Sequence, residues 1–71
     1  MPINHAKFVK DTWLLCDTKA DAERIASYLI SRGDWFVYYP NREGLRIIIP
    51  RYINIDIIRH FLPSANFTVE P

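Results

Sequence analysis

Two hydrophobic periods divide this chain of 71 residues. Between residues 18 and 33 the apolar positions Ala22, Ile25, Ala26, Leu29 and Ile30 return at helical spacing. Lys19, Glu23, Arg24 and Ser27 or Ser31 fall between them, so one stripe is apolar and the rest faces water. Thr18 followed three residues later by Asp21 has the form of a capping box, with Asp where Glu or Gln is usual. Gly33 supplies the left-handed stop. A shorter helical repeat, Ile55, Ile58, Phe61 and Leu62, follows Asn54, a good N-cap. Asp56 in its first turn and Arg59 and His60 in its last suit the helix dipole, and Pro63 ends it.

The remaining apolar runs read as strands. Thr12-Trp13-Leu14-Leu15-Cys16 suits a central strand, and Phe67-Thr68-Val69 a last alternating one. Residues 34–50 carry two β-branched or aromatic runs joined by Asn41-Arg42-Glu43-Gly44, the pattern of a hairpin. A type I turn closed by a left-handed Gly44 in a G1 bulge pairs Asn41 with Leu45, Tyr39 with Ile47 and Val37 with Ile49. That register puts Phe36, Tyr38, Arg46 and Ile48 on one face, opposite Val37, Ile47 and Ile49. A slip of one residue would exchange the faces of the first strand and leave Trp35 and Tyr39 as the exposed pair. Pro50 ends the second strand, since proline cannot donate to a ladder.

The order strand, helix, strand, strand, helix, strand is that of the ferredoxin-like split β-α-β: an α+β fold with a four-stranded antiparallel sheet. Right-handed crossovers place the first strand beside the third and both helices on one face. The other face then lies open, carrying Trp13, Leu15, Phe36, Tyr38, Arg46 and Ile48. An apolar patch of this kind is rarely left exposed by a monomer. It is covered by the N-terminal ten residues with Phe8 and Val9, or by a second copy in a homodimer, or it is a partner surface. Residues 1–71 make one domain, with 1–10 a lead-in and 11–69 the folded core.

Composition narrows the chemistry. Nearly half of the residues are apolar, which argues against disorder. Nine Lys and Arg against eight Asp and Glu give a net charge of +1, and so no electrostatic case for tight binding to duplex DNA. The single Cys16 allows neither a disulfide framework nor a Cys-rich metal site, and fits a small core residue in a reducing compartment. Met1-Pro2-Ile3-Asn4-His5 lacks a signal-peptide core, and no apolar run approaches the ~20 residues that span a bilayer. A cytoplasmic protein without a membrane partner is expected, and a complete small product, because the chain starts at Met and ends soon after its last strand. His5 and His60 are not at metal-ligand spacing, and there is no Ser/His/Asp set and no Gly-rich phosphate loop. No cofactor and no catalysis are expected.

Three resemblances bear on function. RNA-recognition domains share the topology and stack bases on strand aromatics. Here Glu43-Gly44-Leu45-Arg46-Ile47-Ile48-Ile49 is similar in its Gly and following apolar residues, but has Ile at the stacking positions. Asp21-Ala22-Glu23-Arg24-Ile25-Ala26 with Arg32-Gly33 before a strand resembles the glycan-binding SPOR domain over about a third of the chain. Ile49-Pro50-Arg51-Tyr52 departs from that family's Gly-Pro-aromatic segment, and the family is not adopted. Asp17 after the first strand resembles the acidic residue of metal-dependent nucleases of ferredoxin-like fold, which would pair two such Asp in a dimer. An Asp there is more simply a turn or cap residue. The leading expectation is a non-enzymatic protein–protein interaction module, an inhibitor or adaptor of the phage or mobile-element type by fold-level analogy. It would dock on a larger protein through Trp13, Phe36, Tyr38, Arg46 and Ile48. Single-stranded nucleic acid on the same face is the alternative, and a nuclease-like dimer the remote one.

Overall fold

A computed structural model describes residues 5–39 and 45–71. A 3-10 turn, His5–Phe8, precedes β1 (Thr12–Cys16), α1 (Lys19–Arg32), β2 (Val37–Tyr39), β3 (Arg46–Ile49), α2 (Ile55–Phe61) and β4 (Phe67–Glu70). The strands form one antiparallel sheet in the order β2-β3-β1-β4, so β3 lies between β1 and β2. The fold is α+β, with an open four-stranded sheet and two helices.

Local chemistry sets the helix ends. Thr18 Oγ1 accepts from the Asp21 backbone N–H at 3.2 Å, and Asp21 Oδ2 accepts from the Thr18 N–H at 3.0 Å. This is a reciprocal capping box with Asp in the distal place. Gly33 at φ 75° ends α1, as its freedom at positive φ predicts. Asn54 Oδ1 caps α2 by accepting from the Asp56 N–H at 2.9 Å. The helix closes at Phe61, two residues before Pro63, which disfavours helical geometry at Leu62.

Both helices lie on one face of the sheet. Ala22, Ile25 and Leu29 of α1 and Ile58 of α2 form the core with Leu14, Cys16, Ile47, Ile49 and Ala65. Ile30 does not belong to the buried stripe and is 66% exposed. At about 100° per residue it lies on the flank of the helix, well away from the direction shared by Ala22, Ile25 and Leu29. Phe61 is likewise exposed, beside rather than on the Ile55–Ile58–Leu62 line. Its ring stacks on Tyr28 of α1, with centroids 6.0 Å apart.

The hairpin register differs from the expectation by one residue. Val37 pairs with Ile48, Tyr38 with Ile47 and Tyr39 with Arg46. The slip turns β2 over: Tyr38 and Phe36 pack against the core, whereas Val37 and Tyr39 join the opposite face. The observed register gives the helix side Phe36 and Tyr38 in place of Val37 and Tyr39, so two aromatic rings rather than one and a Val pack on the core. The turn expected around Gly44 lies outside the described residues.

Candidate functional site on the second face of the sheet

The face turned away from the helices takes alternate residues of each strand. They are Trp13 and Leu15 of β1, Val37 and Tyr39 of β2, Arg46 and Ile48 of β3, and Thr68 and Glu70 of β4. Ile48 sits between Val37 and Trp13 in the register and has no exposed surface at all. The Trp13 and Tyr39 rings meet across β3, with centroids 6.0 Å apart. An aromatic layer thus seals the middle of this face.

The N-terminal segment adds to the seal. The indole Nε1–H of Trp13 donates to the Phe8 carbonyl at 3.0 Å, and the Phe8 ring lies 5.9 Å from that of Trp35. The Asp11 N–H donates to the same carbonyl at 3.0 Å, and Asp11 Oδ1 accepts from the Arg51 N–H at 3.3 Å. Phe8 therefore crosses the face as one expectation had it, whereas Val9 points to solvent at 72% exposure. Two apolar side chains stay substantially open here, Leu15 at 36% and Trp35 at 42%. Arg46 Nε donates to Glu70 Oε1 at 2.9 Å, a half-exposed ion pair across β3, β1 and β4. A cavity of about 300 Å³ opens beside Trp13, lined by Val9, Asp11, Trp13, Glu70 and Pro71.

Of the five residues expected to bind a partner, Trp13 and Arg46 share this face. Phe36 and Tyr38 do not; they pack on the helix side because of the register slip. Ile48 is on the face but is covered, so it supports the surface without contributing to it. The residues missing from that set are Trp35, against which the Phe8 ring lies, and Tyr39, whose ring meets that of Trp13. The alternative register was the signal that would have found both.

Asp21 and Cys16 are held inside the fold. Asp21 is 3% exposed, and accepts from Thr18 Oγ1 at 2.8 Å, the Asn66 N–H at 3.2 Å and Arg24 Nη1 at 3.3 Å. The Thr18 hydroxyl above all, then the Asn66 N–H, holds its carboxyl below the usual range. Asp17 is exposed, and its N–H donates to the Asn66 carbonyl at 2.9 Å. The Asp21 carboxylate and the Asp17 backbone N–H therefore fasten β1, α1 and the start of β4 together. Burial, aided by the charges of Asp21 and Asp17, pushes the Cys16 thiol up to about 11, so it is protonated at neutral pH. Among the described residues no three His, Cys, Asp or Glu side chains come together to hold a metal ion.

No protein-family model, curated protein or solved structure matches the chain. No helix among the described residues is long and apolar enough to cross a membrane.

Proposed function

We propose that this domain is a non-enzymatic, cytoplasmic interaction module that docks on a larger protein through the second face of its sheet, as a small inhibitor or adaptor does. The element order, with β3 inserted between β1 and β2 and β1 between β3 and β4, supports reading it as a ferredoxin-like split β-α-β. One observation carries the functional reading: Trp13, Trp35 and Tyr39 converge on a face that neither helix covers, with Trp35 and Leu15 open to water. Large aromatic side chains at the centre of a polar-rimmed patch are what anchor protein interfaces. Here Arg46 and Glu70 supply the rim. The pair is neutral as a whole and adds no net positive charge to the face, which favours a protein over a nucleic acid as partner.

The test is capture from the native host followed by mass measurement of the complex. The double variant Leu15→Ser, Trp35→Ser should lose binding by on the order of a hundredfold, while Glu23→Ala on the exposed side of α1 should bind normally. Equal capture by both variants would remove the second face from consideration. Capture abolished by nuclease, or falling steeply with salt, would instead identify a nucleic acid. A complex containing only copies of this chain would make the face a homodimer interface.

A further inference from the structure

We infer that residues 5–11 are a displaceable strap that stands in for the partner, whose docking segment is a peptide bringing an aromatic side chain to Trp35 and a backbone carbonyl to the indole N–H of Trp13. The inference rests on the reading of the second face as a docking surface. Its basis is what already occupies that face. Phe8 places its ring 5.9 Å from Trp35 and its carbonyl oxygen 3.0 Å from Trp13 Nε1. One residue thus satisfies the two features of the face that call for a ligand, an open aromatic ring and an indole donor that needs an acceptor. Phe8 meets this requirement from outside the hydrophobic core, since it is not among the residues packed against the helix-side cluster.

Lys7, Val9 and Lys10 are exposed, and beyond Phe8 the segment is tied by the bond from the Arg51 N–H to Asp11. The Phe8 contact is intramolecular, and so is held at an effective concentration in the millimolar range. A partner segment making the same two contacts and a few more would replace it.

The chain has two tryptophans, and both contact Phe8, so their emission reports strap docking directly. In the unmodified protein the Trp13 indole N–H should exchange with solvent at least about a hundredfold faster than the Leu14 amide, because it opens locally. Exchange as slow as that of the core would overturn the inference without any mutation. Phe8→Ala should shift tryptophan emission to the red and leave the far-ultraviolet circular dichroism unchanged. Unchanged emission, or loss of the fold, would each refute a displaceable strap.

The peptide acetyl-HAKFVKD-amide, titrated into the Phe8→Ala protein, should restore the parental emission with saturation at about millimolar concentration. The same peptide with Phe8→Ala should not. Failure of the first, or restoration by a single-stranded oligonucleotide instead, would defeat the peptide assignment. Phe8→Ala should also raise partner capture by about tenfold, since it removes the ring that competes for Trp35 and leaves only the backbone carbonyl in place. If it does not, while Leu15→Ser, Trp35→Ser still abolishes capture, the strap is refuted and the docking face stands. If the double variant captures normally, the docking face itself is refuted.

Discussion

The two faces of the sheet are built from the same strands and differ in how they are closed. On the helix side Leu14, Cys16, Ile47 and Ile49 meet α1 and α2, and every one of them is buried. On the other side Trp13, Val37, Tyr39 and Ile48 form a thinner layer closed by their own rings and by Phe8. Ile47 and Ile48 are equally inaccessible, yet one is covered by helices and the other by aromatic side chains and a short turn. The contrast separates burial that holds the fold from burial that covers a surface. A residue's exposure alone does not distinguish the two; the element that covers it does.

The largest expected effects come from breaking the helix side. Leu14→Ala should cost about 2–5 kcal/mol, because the residue is fully enclosed and leaves a cavity between sheet and helices. Its neighbour Leu15 is on the other face, and Leu15→Ala should cost within about 1 kcal/mol. Tyr38 and Tyr39 form the matching pair on β2. Tyr38→Ser should cost on the order of 2 kcal/mol, since its ring packs on the core, and Tyr39→Ser distinctly less. Denaturant midpoints for the four variants measure this directly. A reversed order within β2 would restore the register first expected from the sequence.

That register shows where the sequence stops being legible. The helix α1 was readable because its determinants are local: a stripe, a capping pair three residues apart and a glycine. Pro50, Asn54 and Pro63 marked their boundaries for the same reason. Strand β2 and the residues leading into it offer aromatics at 35, 36, 38 and 39 and so present a plausible apolar face in either register. Only the packing of Phe36 and Tyr38 against α1 and its neighbours decides between them, and that is a tertiary fact. The open sheet face itself was legible from element order. Which aromatics occupy it was not. Links such as Tyr52 Oη to Asp34 at 3.0 Å or the Asn66 N–H to Asp21 have no sequence signature at all.

A medium effect concerns the helix side at low pH. Asp21 has its carboxyl pKa lowered in the folded state, first by the Thr18 hydroxyl and then by the Asn66 N–H. A depressed pKa contributes stability that is fully present above the unfolded-state value, near 4, and is lost as pH falls through the folded-state value. Melting temperature should therefore drop on the acid side of about pH 4. Asp21→Asn should melt several degrees lower at neutral pH, on the order expected when a cap is weakened in a small domain, with a shallower acid-side decline. If the parent and the variant decline in parallel, Asp21 is not the group responsible.

The smallest effect lies on the second face, at Arg46 and Glu70. The pair is well placed, with Nε–Oε1 at 2.9 Å, but the two side chains are 37% and 24% exposed. Water and salt therefore screen most of the attraction, and pairs of this kind contribute about 0.2–1 kcal/mol. Removing one partner strands no buried charge, unlike the case of an ion pair in a core. Arg46→Ala and Glu70→Ala should each destabilise the domain by less than about 1 kcal/mol, and the double variant by little more than either alone. The coupling energy from this cycle should shrink further at high ionic strength, where the Debye length falls to about 3 Å at 1 M salt. A coupling of several kcal/mol that ignores salt would mean that the second face is as tightly closed as the first. Its rim would then be part of the fold rather than the border of a surface kept for a partner.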